Sequence, residues 1–187
     1  SFKIEEGTFN VIMGASGSGK STILNIIGLL DKATSGDVIL FGQKNIRPFS
    51  MKAEQMLKNK IGYLFQNFAL IENETVANNL KLSLENVRGN KKEKISAALK
   101  EVGLEGYENK KVYKCSGGEQ QRISIARLLI KPCDLVLADE PTGSLDHENK
   151  KIVFDLLKNL QKLGKTIVVV THDEEMIAVA DRTIMIS

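Results

Sequence analysis

Little in this sequence belongs to a secreted, membrane-spanning or nucleic-acid-binding chain. Its only cysteines, Cys115 and Cys133, lack CxxC spacing. That leaves no disulfide framework or zinc site to read and suits a reducing cytoplasm. No apolar run approaches the roughly 18 residues that cross a bilayer, and no signal-peptide pattern is visible, so any membrane role falls to a partner. Neither sign of charge dominates: 26 Lys+Arg against 23 Asp+Glu leave a net +3. So balanced a chain projects no field toward nucleic acid or anionic lipid. The lysine clusters Lys91, Lys92, Lys94 and Lys110, Lys111, Lys114 read as solvated surface. Internal repeats, low-complexity tracts and linkers are also missing. With 187 residues, there is room for one well-buried domain and not for two ordinary ones. The chain opens at Ser1 almost on its first strand and stops at Ser187 inside an apolar strand pattern, so both ends read as trimmed.

What is present centres on Gly14-Ala15-Ser16-Gly17-Ser18-Gly19-Lys20-Ser21. The stretch fits G-x-x-x-x-G-K-[ST], the loop that wraps nucleotide phosphates. Glycines let consecutive backbone N–H groups turn inward as a nest for an anion. Lys20 adds a mobile charge for the β- and γ-phosphates, and the Ser21 hydroxyl can ligate Mg²⁺. A flexible Gly/Ser turn is the plain alternative, and context argues against it. Thr8–Met13 reads as a buried strand entering the loop, and Ile23, Leu24, Ile26, Ile27, Leu29 and Leu30 suit one helix buried on most sides.

Farther along, Val38–Phe41 reads as a short strand, 43–60 as polar with a weak helical pattern, and Ile61–Phe65 as a strand that delivers Gln66. Residues 67–131 turn helical: Val76, Leu80 and Leu84 mark one face and Ile95, Leu99 and Val102 another, and a third helix spans 117–130. Leu135–Ala138 is a buried strand ending in Asp139-Glu140; 147–163 is amphipathic; Thr166–Val170 is a continuous apolar strand leading to His172. The fold class is α/β, a parallel-sheet core over 1–66 and 132–187 with a helical insertion over 67–131. Gln66, Asp139, Glu140 and His172 all follow strands, where open α/β sheets bind ligands, so one shared ligand accounts for them together with the loop.

Adjacent carboxylates beside a phosphate site repel each other unless a cation or proton separates them. A division of labour follows: Asp139 for a metal, Glu140 to orient or deprotonate water. Before the third helix, Ser116 reads as an N-cap with Glu119 as its capping-box partner. Gly117 and Gly118 do not suit a first helical turn. They make sense where something approaches the backbone closely, and a helix N-terminus favours an anion.

In this order, GASGSGKS, Gln66, SGGEQQR (116–122), LVLADEP (135–141), Ser144-Leu145-Asp146 and His172 resemble the ATP-binding cassette (ABC) ATPases over essentially the whole chain. NIIGLLDKATSGDVILFG and LADEPTGSLD resemble the MacB/LolD-like branch of macrolide, lipoprotein and antimicrobial-peptide exporters. The resemblance implies a P-loop NTPase fold and ATP with Mg²⁺. Gly14, Ala15, Ser16, Gly17, Ser18, Gly19, Lys20, Ser21 and Thr22 would surround the phosphates. Ser21, Gln66 and Asp139 would serve the metal, and Glu140 would be the catalytic carboxylate. Lys20, Gln66 and His172 would complete the catalytic set, with His172 contacting the γ-phosphate. Ser116, Gly117, Gly118, Glu119 and Asp146 would meet ATP held by a second copy. The partners implied are that second copy and a transmembrane permease, with no nucleic acid, which places the chain on the inner face of the cell membrane. A division-type scaffold that couples ATP to a membrane partner is the alternative. Chromosome and repair versions are set aside because no heptads separate Lys20 from Ser116. A GTPase is set aside because no N-K-x-D motif occurs.

Three positions depart from the family, and one of them, Ser144 in place of a more usual Ala or Asn, carries no reading. Cys115 stands where Leu is usual, a swap expected to alter packing only. The aromatic residue that stacks on adenine falls upstream of the residues given, and Phe2 reads as core. Weak nucleotide affinity is therefore expected, and tight, adenine-selective binding in a fluorescent-ATP titration would contradict it.

Overall fold

Alternation along two strands decides the architecture. In β5 (Leu135–Asp139) and β6 (Thr166–Val170), Val136, Ala138, Ile167 and Val169 join one apolar cluster while Leu135, Leu137, Val168 and Val170 join another. Successive side chains of a strand point to opposite faces, so both faces of this sheet are buried, which is why the two strands are apolar except at Asp139 and Thr166 on their ends. In the computed structural model, which describes residues 1–85 and 87–186, the main sheet has the order β4-β5-β6-β1-β7, every neighbouring pair parallel. The remaining strands are β1 (Phe9–Gly14), β4 (Ile61–Leu64) and β7 (Arg182–Ile186). The last residue of the range read from the sequence, Ser187, lies outside the described residues.

One face is covered by α1 (Lys20–Ile27) and α2 (Met51–Asn59), through Leu24, Ile27, Ala53 and Met56. The other is covered by α3 (Val76–Lys81), α4 (Lys91–Glu101), α5 (Gly117–Ile130) and α6 (His147–Lys162). Leu80, Leu99, Ile123 and Leu157 share one cluster with Phe9 and Val136. The helices read as an insertion are therefore packed into the same apolar mass as the sheet. A short α7 (Glu174–Ala178) precedes β7.

Three readings need correction. α1 stops at Ile27, not Leu30: Leu29 turns left-handed with φ 56°, and the N–H groups of Leu29 and Leu30 donate back to Ile26 O and Asn25 O, closing the helix end. Leu29 stays buried all the same. Val38–Phe41 supplies only β2 (Ile39–Leu40), which pairs antiparallel with β3 (Gln43–Lys44) outside the main sheet. Ile39 is exposed there, so its hydropathy misled. Phe2 is exposed and not core.

Leu157 is fully buried in α6, so Leu157→Ala leaves a cavity where α6 meets the other helices and the sheet. Chemical denaturation should show a loss of about 2–5 kcal/mol; an unchanged midpoint would contradict the packing described.

Candidate functional site

β1 delivers the chain to Gly14, which pairs with Ile186. A Cβ at Gly14 would collide with the Ile186 carbonyl, so the strand's last residue must be bare. Gly17 and Gly19 then take φ +80° and +89°, the left-handed region that glycine enters at no steric cost. Lys20 opens α1, nearly buried, and its Nζ donates to Gly14 O at 3.0 Å and Ala15 O at 2.9 Å. Ser18 Oγ is buried with no hydrogen-bond partner. A loop with an unanswered hydroxyl, a lysine resting on its own carbonyls and the positive end of a helix fits a polyphosphate. Ser21 and Thr22 are exposed in the first turn of α1.

The sheet order then sets the neighbours. Gln66 follows β4, Asp139 and Glu140 end β5, and His172 follows β6, which lies beside β1. All the strands run in one direction, so these groups stand in a row next to the loop. The Glu140 N–H donates to Val170 O at 2.8 Å, extending the β5–β6 ladder by one bond. Glu140 itself takes φ 44°, a costly conformation for a non-glycine residue and one that clusters at functional sites. Its Oε1 lies 3.5 Å from His172 Nε2. Burial pushes the Tyr63 hydroxyl up and the Asp139 charge adds to it, so that hydroxyl stays protonated and donates to Asn25 Oδ1 at 2.8 Å. Among the described residues no three His, Cys, Asp or Glu side chains gather as a metal cage. Mg²⁺ in nucleotide sites needs none, since one or two protein oxygens suffice beside phosphate and water. Ser21, Asp139 and Gln66 offer such oxygens.

α5 begins with the capping box read from the sequence: Ser116 Oγ accepts from the Glu119 N–H at 3.2 Å and Glu119 Oε2 from the Ser116 N–H at 2.8 Å. Glu119 also accepts from the Tyr107 hydroxyl at 2.7 Å and Lys110 Nζ at 3.0 Å. Burial works to raise this carboxyl, but the bonds from Tyr107, the Ser116 N–H and Lys110 prevail and hold it below its usual value. Lys110 is thus a half-buried ion-pair partner and not solvated surface. The argument from the glycines also divides. The space a Cβ would take at Gly118 is filled by Asn149 of the same chain, whereas Gly117 is exposed, its nearest such neighbour Phe68 at 3.9 Å. Only Gly117 lacks an internal reason to be glycine. Cys115 is buried and burial pushes its thiol up, so it packs as a small apolar group.

Sequence reasoning missed the struts that hold α5 in place. Ser124 Oγ donates to Phe68 O at 2.9 Å, and Arg127 donates to Phe68 O at 3.1 Å and Ala69 O at 2.7 Å. These bonds grip the loop after Gln66 where Phe68 and Ala69 turn left-handed, φ 63° and 47°. Gln121 Nε2 donates to Pro141 O at 2.6 Å, just past Glu140. An arginine within the apolar run of α5 was the one available signal. Among the described residues, no hydrogen bond or ion pair joins Ser116–Glu119 to the loop at 14–21.

The ABC transporter family model matches residues 1–143. The macrolide export ATP-binding/permease protein MacB of Mannheimia succiniciproducens is 42% identical over 100% of this chain, which spans 29% of that relative. The ABC transporter ATP-binding protein YxdL of Bacillus subtilis is 38% identical over 100% of this chain and 74% of its own. The dimeric post-hydrolysis structure of the ATP-binding cassette MJ0796 bound to ADP and Pi superimposes with TM-score 0.89 at 40% identity, covering 100% of this chain and 84% of that one.

A lowered carboxyl stabilises the fold above its unfolded value, and that contribution is lost as pH falls through the folded one. For Glu119, whose unperturbed value is 4.5, the loss falls below that pH. Glu119→Gln should therefore be less stable than the parent at pH 7 and lose less on acidification, read by thermal unfolding from neutral to acid pH. Parallel curves would contradict the assignment.

Proposed function

The chain is an ATPase cassette of the ABC transporter family, and from that premise we propose that two copies close around ATP and drive a transmembrane permease. The cargo class we favour is a peptide, lipid-linked or drug-like molecule moved outward, in keeping with the export named for the MacB relative. The chain would work on the inner face of the membrane, held there by its permease, and no helix among the described residues is long and apolar enough to cross one.

The observation that carries this reading is the row of strand ends. It puts Glu140, whose carboxylate lies beside His172, one intervening strand away from a loop shaped for phosphates. The N–H groups of 14–22 and Lys20 hold the β- and γ-phosphates, Lys20 exchanging the Gly14 and Ala15 carbonyls for them. Ser21 and Gln66, with Asp139 through water, would hold Mg²⁺, which when bound would supply positive charge for those phosphates. Glu140 orients the attacking water and accepts its proton, and His172 steadies the γ-phosphate. Separation of the α5 tip from its own loop supports a second site shared between copies. Ser116 and Gly117 present hydroxyl and bare backbone to the partner's γ-phosphate, with Gly118 and Glu119 completing the first turn and Asp146 alongside. Since the Glu119 carboxylate is engaged internally, it serves by shaping that turn. The segment 67–131 acts as the arm that carries this tip.

Glu140→Gln should bind Mg-ATP, turn over more slowly by about 10²–10⁴-fold and elute as a dimer on gel filtration with Mg-ATP in excess. A persistent monomer would count against the sandwich. Lys20→Ala should not form that dimer, because its cradle lacks the cation for the β- and γ-phosphates.

A further inference from the structure

Asn149 lies three residues into the segment that follows Asp146, in the first turn of α6. Its backbone N–H donates to Asp146 Oδ1 at 2.8 Å and its side-chain Nδ2 to Asp146 Oδ2 at 2.8 Å. The opposite side of that amide presses on buried Gly118: a Cβ there would collide with Oδ1, Cγ and Nδ2 at once. One side chain therefore touches both elements that the reading above turns toward the partner's nucleotide.

Capping does not account for it. An aspartate N-cap needs only the backbone N–H two or three residues on, and an alanine at 149 would supply that equally well. The second bond, to Oδ2, stops the carboxylate from turning. The amide body fixes how near the tip of α5 can come to the turn at 144–146. Glycine at 118 weakens the helix relative to alanine, and its missing side chain leaves the space that Asn149 fills. Three residues farther along α5, Gln121 donates to Pro141 O. The segment 141–149 is thus tied to α5 at both ends, while Ser116, Gly117 and Asp146 remain exposed.

We propose that Asn149 is a positioning residue for the nucleotide bound by the other copy: it locks the glycine-tipped end of α5 to the Asp146 turn so that both are presented as one surface. The inference rests on the two-copy reading, and its test is built to separate the two.

Two differently tagged copies are co-expressed, one carrying Lys20→Ala. Only one site of that pair can work, formed by the intact cradle and by α5 of the Lys20→Ala copy. Asn149→Ala placed in the Lys20→Ala copy then falls on the α5 that serves the working site; placed in the other copy it falls on the idle one. The first placement should lower kcat by about tenfold, with a smaller change in KM for ATP, because misplacing a distant support costs the transition state most. The second should leave the rate of the pair unchanged. A loss of stability alone would act equally in both placements, so equal effects, or none in either, would overturn the proposal. Should Asn149→Ala not fold, Asn149→Ser keeps a donor for Asp146, opens the face of Gly118 and is read by the same asymmetry. As a control, Lys20→Ala is paired with Ser116→Ala. If that pair recovers one working site and Asn149 shows no asymmetry, this inference alone falls; if it recovers none, the two-copy reading falls and this inference with it.

Discussion

The hydrogen bond from the Glu140 N–H to the Val170 carbonyl is the constraint on which the site depends. It carries the β5–β6 ladder one residue beyond Asp139 and fixes where the strand stops being a strand. Asp139 still obeys the pleat, so its carboxylate lies near Tyr63. Glu140, bonded through its N–H but turned left-handed, swings its carboxylate toward His172 instead. Two neighbouring acids thereby point in different directions although both carry the same carboxylate group. Parallel strands make this possible, because their ends come out on one side. β6 lies between β5 and β1, so the acids sit one strand removed from the phosphate loop.

α5 spreads that arrangement outward. Through Ser124 and Arg127 it holds the loop after Gln66, and through Gln121 the segment after Glu140. The loop after Gln66 and the segment after Glu140 are therefore braced by one helix, and neither can shift without straining the polar clamps along it.

Much of this was legible in the sequence, for identifiable reasons. Continuous apolar runs such as Ile167–Val170 announce a sheet buried on both sides, and the glycine pattern at 14–21 admits few geometries. Boundaries were less legible. Leu29 and Leu30 continue a helical run of apolar residues, yet the chain turns left-handed at Leu29 and closes the helix there, a conformation that leucine does not announce. Ile39 shows that an apolar residue can sit exposed on a hairpin. In the site, residue types marked what could bind phosphate or move a proton. The connections escaped notice because Arg127, Gln121 and Asn149 act on backbone carbonyls, on one carboxylate and on a glycine, partners that have no signature of their own.

Gly14 joins the first strand to the last: it pairs with Ile186, and the carbonyl of Ile186 occupies the place where its side chain would be. Loop and edge strand therefore share one tight point of contact, although 172 positions of sequence separate them. Any bulk added at Gly14 presses on the rim of the sheet and on the turn at once, so the two cannot be reshaped independently.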